Sequence, residues 1–282
     1  MGDRKIFEGI FDDFEQVPGR TNYNNEVYID GLAKYCKARV EELLAGEYPA
    51  PVERNQQSNL LIAVVGMLLS ARKTVHVVDF GGGLGQTFVT VAAALGSSLS
   101  QLHYTILDLP DTIERLRRNN IYQLSGIAAL EFSDSAEALS DEQAVDIFYM
   151  GSTLQYVDDF RRLFGRIFEI APEYLLINQT PMVLDAPTFV TAQVGIPGRV
   201  LAVRIFNVDH LVTEMRAGGY ELVVRSCEAK APGVNRFFNF PSEYRNERSA
   251  ILLFRRMRGP DSASLRRRMS WMRRWARLFG KK

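Results

Sequence analysis

The chain has 282 residues, 46% of them hydrophobic and 24% charged, with 34 Lys and Arg against 33 Asp and Glu. These proportions exclude a disordered, fibrous or membrane-embedded chain and leave room for one large α/β domain with additions. The longest apolar run, Leu60 to Leu69, is half of the roughly 20 residues a spanning helix needs, and Arg72-Lys73 follow it closely.

The opening Met1-Gly2-Asp3-Arg4-Lys5-Ile6 has no apolar signal region, and Ile6 stands where a myristoylation signal wants Ser or Thr. Cytoplasmic residence is the resulting expectation. Residues 1–73 read as an irregular and then helical N-terminal extension, able to act as a lid. Gly31 to Leu44 carries Leu32, Tyr35, Val40, Leu43 and Leu44, and Ser58 is placed to cap a core helix over Leu60 to Leu69. Cys36 and Cys227 form no C-x-x-C pair and the three histidines are scattered, so neither a disulfide framework nor a metal site is expected.

Val75 to Phe80 reads as a buried strand running into Gly81-Gly82-Gly83-Leu84-Gly85 and then a helix over Thr87 to Leu95. Glycine belongs where backbone turns with positive φ and must lie against a ligand without a Cβ in between. Asp79 ends the strand at the side where open α/β folds bind ligands, placed to hold a cationic amino group. The dinucleotide fingerprint G-x-G-x-x-G fails by one place, because the third glycine would fall on Gln86. The spelling D-x-G-x-G-x-G instead indicates an S-adenosylmethionine site, which includes Asp79, Gly81, Gly82, Gly83, Gly85 and Gln86.

The next strand, His103 to Leu107, delivers Asp108 at the spacing of a ribose-binding acid, with Leu109 beside it. Nicotinamide enzymes use the same acid, so the glycine spacing makes the choice. Leu130-Glu131-Phe132 reads as a short strand whose following Ser133-Asp134 could face the adenine, with an ordinary solvated loop acid as the alternative. Further strands are expected over Val145 to Met150, Tyr174 to Asn178, Glu221 to Ser226 and Ser249 to Arg255. Helices between them imply a mainly parallel sheet. The segment Ala231 to Arg248 is too polar and turn-rich for a crossover helix, so the last two strands are read as an antiparallel hairpin. Residues 181–207 break the alternation and carry Pro187, Gly195, Pro197 and Gly198. They read as an insertion of neither helix nor strand, on the acceptor side or as a surface excursion.

Together Asp79 to Gly85, Tyr104 to Pro110, Gly151-Ser152-Thr153-Leu154-Gln155-Tyr156 and Ile177-Asn178-Gln179-Thr180-Pro181 resemble the class I S-adenosylmethionine-dependent methyltransferases. More narrowly, they are similar to a bacterial methyltransferase family, some of whose members are associated with surface-polysaccharide synthesis. The resemblance covers about residues 75–255. It implies a Rossmann-like, seven-stranded, mostly parallel sheet with helices on both faces and an antiparallel last strand. It also implies a small-molecule or lipid-linked glycan acceptor. A second likeness, to plant-type small-molecule O-methyltransferases, rests on Asp108-Leu109-Pro110 and breaks at the catalytic histidine, where Gln155 stands. Neutral glutamine is no general base. The D/N/S-P-P-Y signature of nucleobase amino-methyltransferases is absent near Gly151 and Ser152, which the resemblance implies as further cofactor-binding residues, and its absence disfavours nucleic acid.

Methyl transfer from a sulfonium asks the protein chiefly for positioning and exclusion of water. If a hydroxyl accepts, its proton could pass to His210, Tyr156, Asp158 or Asp185, with Gln155 orienting the acceptor or lining the cofactor sulfonium. His210 has a plain alternative as part of a helix cap. His76 reads as a satisfied core residue, and Gln179, Thr180 and Gln193 as acceptor contacts.

From Ser264 to Lys282 there are eight basic side chains and no acid, so the remainder holds 26 basic residues against 33 acidic ones. Leu265, Met269, Met272, Trp275 and Phe279 recur at three- and four-residue spacing opposite the arginines, which describes a basic amphipathic tail over 259–282. Peripheral contact with anionic lipid at the inner face of the membrane is one reading, and packing on the protein body or a second subunit is the other. Nucleic acid has no accompanying motif. The division expected is thus 1–73, a catalytic domain 74–258, and the tail. The expected function is methylation of a sugar, glycolipid or other small-molecule hydroxyl; the alternative is a non-catalytic S-adenosylmethionine-binding partner protein held through its tail.

Overall fold

The computed structural model describes residues 5–21, 33–38, 41–42, 45, 59–118, 130–135, 144–196, 198–228, 237–245 and 249–257. The chain forms two compact units. One comprises Asn22–Leu154 with Leu176–Gln179, and the other Met1–Thr21, Gln155–Leu175 and Thr180–Lys282.

In the first unit, helix α1 (Asn59–Leu69) precedes strand β2 (Val75–Phe80), numbered after β1 (Phe7–Phe11) of the other unit. Then come helix α2 (Gln86–Leu95), β3 (Leu102–Leu107), helix α3 (Pro110–Arg118), β4 (Leu130–Ser133) and β5 (Ile147–Gly151). β2 lies between β3 and β5, and β4 flanks β3, all in parallel register: Val77 pairs with Tyr104 and Asp79 with Tyr149. Such strands are covered on both faces and therefore read as continuous apolar runs. Val75, Val77, Val78, Ile106, Ile147 and Phe148 are accordingly buried. Helix α2 buries Phe88, Val89, Val91 and Ala92, and α3 starts on Pro110, whose missing N–H costs nothing at a first turn.

The second unit opens with β1 (Phe7–Phe11) and continues with helix α4 (Phe160–Ile170), β6 (Tyr174–Val183), β7 (Phe189–Gln193) and β8 (Leu201–Asn207). It ends with helix α5 (Val208–Ala217), β9 (Tyr220–Glu228) and β10 (Ser249–Arg256). β6 contributes Leu176–Gln179 to the first unit. β1, β7 and β8 form an antiparallel run, and β8 continues it in parallel with Met182 and Val183 of β6. β9 and β10 are antiparallel, as the turn-rich segment between them implies. Asp159 caps α4 by accepting from the Arg162 N–H at 3.0 Å, and Asn207 caps α5 by accepting from the His210 N–H at 3.0 Å. The core holds Phe7, Val183, Phe189, Leu201, Val203, Ile205, Phe237 and Phe240.

All seven strands expected from sequence are present in this mixed α/β, Rossmann-like arrangement. Three more are added. β1 lies in the leader where irregular chain was expected, ahead of the expected helix α1. β7 and β8 correct the reading of 181–207: they are ladder-forming strands, and Pro187, Gly195 and Gly198, read as breakers, lie in the connections between strands. Their side chains are buried almost throughout, so they lack the polar alternation of a half-exposed strand. No helix among the described residues is long and apolar enough to cross a membrane. Ser58, Leu32 and the basic tail lie outside the described residues.

Candidate functional site

The first unit gathers its glycines and acids at one end of its strands. β2 stops at Phe80 and the chain turns through Gly81, Gly83 and Gly85, with φ of 70°, 57° and 86°. The turn is tied down by Gly81 N–H donating to Leu107 O at 2.7 Å and Gly85 N–H donating to Gly82 O at 3.0 Å. Two positions admit no Cβ. One at Gly81 would sit 2.2 Å from Thr153 Cγ2, and one at Gly82 would sit 2.8 Å from the carboxyl carbon of Asp79. At Gly83 the nearest atom would be Gln86 Oε1 at an ordinary 3.5 Å, so there the left-handed φ is what calls for glycine.

Two carboxyls flank this turn. Asp108, half-buried at the end of β3, accepts from Gly83 N–H at 2.8 Å and from Leu109 N–H at 2.7 Å, which fixes the turn against the next strand end. A carboxylate has about four acceptor sites, so two remain for hydroxyls of a ligand. Leu109, 53% exposed, offers an apolar surface beside it. Asp79 is 1% exposed and lies beneath Gly82, with Tyr104 Oη donating to it at 2.7 Å. Burial raises its pKa to about 7, against the Tyr104 hydrogen bond and with help from Asp108. No basic side chain pairs with either acid among the described residues.

Behind the turn, Asn178 Nδ2 donates to Tyr149 Oη at 3.2 Å, both side chains being buried. Burial and the neighbouring Asp79 push the Tyr149 phenol above its ordinary range, so it remains a neutral hydroxyl. Gly151 leaves room for that phenol, since a Cβ would come within 2.5 Å of its oxygen. Tyr104, Tyr149 and Asn178 were not expected from sequence. A tyrosine inside an otherwise aliphatic buried strand was the available signal, because its hydroxyl must find a partner.

Ser152 and Gln179 are non-glycine residues with left-handed φ, 56° and 53°, and Ser152 N–H donates to Asn178 O at 2.8 Å. Strain of this kind is retained where the surroundings demand it and clusters at functional sites. Ser152→Gly and Gln179→Gly are each expected to raise stability by about 0.5–1 kcal/mol, the relief of the left-handed penalty less the extra unfolded-state freedom of glycine. Thermal unfolding of the two variants checks this. Ser133 Oγ donates to Ser135 O at 2.9 Å at the end of β4, and Asp134 beside it is exposed. His76 hydrogen-bonds Thr105 at 3.0 Å and stacks on His103, and burial lowers its pKa to about 4, in keeping with a core residue.

The remaining candidates belong to the second unit. Tyr156 Oη donates to Gln193 Oε1 at 2.9 Å, so two of them are brought together, with Tyr156 packed on the cluster around Phe189. Gln155 and Thr180 are buried, and the Thr180 hydroxyl meets no hydrogen-bond partner among the described residues. His210 is exposed in the first turn of α5, the position of a capped backbone. Asp158 faces Arg204 at 3.6 Å, whose guanidinium lies over Phe14 and Phe160 at 5.0 Å from each ring, and Asp185 is exposed.

No protein-family profile and no curated protein matches the chain. Among solved structures it is similar to the 1,6-didemethyltoxoflavin-N1-methyltransferase of Burkholderia thailandensis, crystallised with S-adenosylhomocysteine, at 16% identity over 85% of this chain and 94% of that one, TM-score 0.45. It is also similar to the magnesium protoporphyrin IX methyltransferase of Synechocystis PCC 6803, with bound S-adenosylhomocysteine, at 13% identity over 81% and 99%, TM-score 0.47. A further similarity is to an S-adenosylmethionine-dependent methyltransferase of Methanosarcina mazei, at 14% identity over 68% and 98%, TM-score 0.46.

Proposed function

We propose that the chain is an S-adenosylmethionine-dependent methyltransferase whose cofactor lies on the Gly81–Gly85 turn. The observation that supports this best is charge: two carboxyls, Asp79 and Asp108, flank the turn with no basic partner among the described residues. A dinucleotide would bring an anionic pyrophosphate to this place, where the Asp108 carboxylate opposes it and no basic side chain among the described residues attracts it. A sulfonium that also carries an ammonium group is attracted there. The residues fit such a ligand: Gly83 gives it bare backbone, Asp108 keeps acceptor capacity for ribose hydroxyls, and Leu109 offers an apolar face for adenine. When bound, the cofactor supplies an activated methyl group. The chain's own part is to hold and orient it and to keep water away.

The proposed acceptor is a hydroxyl of a sugar, glycolipid or other small molecule, with Gln155, Tyr156, Gln193, Thr180 and Gln179 as its neutral hydrogen-bonding candidates. Calorimetric titration with S-adenosylhomocysteine and, separately, with NAD tests the cofactor assignment. The expected result is micromolar binding of the first alone and a loss of at least tenfold in Asp108→Ala, which strips acceptors from ligand and turn together. Binding of NAD, or of neither, would overturn it. Binding without turnover across a broad acceptor panel would favour the non-catalytic partner protein instead.

The basic stretch 264–282 is proposed to hold the enzyme at anionic lipid, which suits a lipid-linked acceptor. Flotation with phosphatidylglycerol-containing vesicles should be lost on removing those residues, and unchanged flotation would reject the lipid role.

A further inference from the structure

Asp79 occupies a position that a simple contact with ligand does not explain. Its carboxyl is 1% exposed and packs against Gly82, where an added Cβ would come within 2.8 Å of it, so the group is enclosed rather than open to solvent. From β3, the Tyr104 hydroxyl faces it at 2.7 Å; from the end of β3, the Asp108 carboxylate; from β5, the Tyr149 phenol. Helix α2, Gln86–Leu95, brings no charged residue, and neither does the Leu176–Gln179 part of β6. Among the described residues the cluster therefore contains two acids, two phenols and no cation. An ionised carboxylate enclosed in this way lacks both water and a counter-charge, and the neutral acid is the form such a place favours.

We propose that Asp79 is protonated before ligand binds and surrenders that proton when a cationic ligand settles on the turn, so that cofactor binding and ionisation of this carboxyl are one coupled event. The inference rests on the reading of the turn as an S-adenosylmethionine site. In the step, the carboxyl O–H bond breaks, the proton leaves to solvent, and the new carboxylate keeps the hydrogen bond from Tyr104. The positive charge of the ligand compensates the negative charge left behind. Asp79 thus selects ligands that carry positive charge, and Tyr104 is its positioning residue, because its hydroxyl donates to the charged form. The pKa raised to about 7 by burial places the exchange within the physiological range.

The test is calorimetry of the full chain with S-adenosylmethionine, which carries the sulfonium charge, in buffers of different ionisation enthalpy. At about pH 6 the observed enthalpy should vary with the buffer by roughly one released proton per ligand, and the effect should fade as the solution passes well above pH 7. Asp79→Asn should bind with no proton release at either pH. Tyr104→Phe keeps the carboxyl and loses its donor, so release should persist to higher pH while affinity falls by about tenfold. Tight binding by the wild-type chain with no buffer dependence at about pH 6 would overturn the proposal and leave the cofactor assignment standing. Failure of S-adenosylmethionine to bind at all would overturn the cofactor assignment and the proposal with it.

Discussion

Gly81→Ala is expected to abolish binding of S-adenosylhomocysteine and to lower stability by about 2–4 kcal/mol. Two effects add at this position. The backbone sits at φ 70°, where a Cβ costs about 1–2 kcal/mol, and the methyl would lie 2.2 Å from Thr153 Cγ2 and 2.5 Å from its Oγ1. Thr153 cannot simply rotate away, because its hydroxyl donates to Gly151 O at 3.0 Å and holds the loop after β5 in place. The turn must move instead, taking with it the Gly83 N–H that docks on Asp108. Gly83→Ala provides the internal comparison. Its new methyl meets nothing closer than 3.5 Å, so only the backbone penalty of about 1 kcal/mol should appear. If the two variants melt alike, the contact with Thr153 has been over-weighted. A Gly81→Ala/Thr153→Ala double variant should recover part of the loss, since it removes the clash and leaves the φ penalty.

Asp79→Asn should make the protein more stable at about pH 8 and change it little at about pH 4. The sign follows from the direction of the pKa shift. Asp79 titrates near 7 in the fold and near 3.8 when unfolded, so the native state holds the extra proton between those values. Stability contributed by this group is full below about pH 4 and is lost as pH rises through 7, in total on the order of 4 kcal/mol. Asparagine keeps an oxygen for the Tyr104 hydroxyl and has no charge to desolvate, so the variant should lose this slope. Urea denaturation of wild type and variant at the two pH values measures it, and parallel pH profiles would refute the assignment. A site that retains so costly an acid in place of an amide gives up stability for function, the usual trade at binding sites.

Much of the candidate site is legible in the residue order because its parts are local. Asp79 and the glycines follow one another directly, and Asp108 with Leu109 closes the next apolar strand, so strand, turn and acid can be read without knowing any neighbour. The clustering of the buried polar groups is not legible in this way. Tyr104 meets Asp79 across 25 residues of chain, and Asn178 meets Tyr149 across 29, contacts created by the lateral register of β3, β2, β5 and β6. The strained φ at Ser152 and Gln179 is equally hidden, since neither residue type announces a left-handed backbone. His210 illustrates the converse. An Asp-His pair leading a helix reads as part of a cap, with a proton acceptor near the acceptor mouth as the other reading, and the fold gives Asn207 the cap and leaves the histidine exposed.

Periodicity and glycine spacing were sufficient for the α/β class, the seven principal strands and the glycine turn after β2, because hydrophobic period and backbone sterics act over a few residues. The hairpin β7–β8, the leader strand β1 and the enclosure of the Asp79 carboxyl came from the folded chain alone. Pairing partners and the loss of solvent around a charge are set by segments distant in sequence, and no local pattern encodes them.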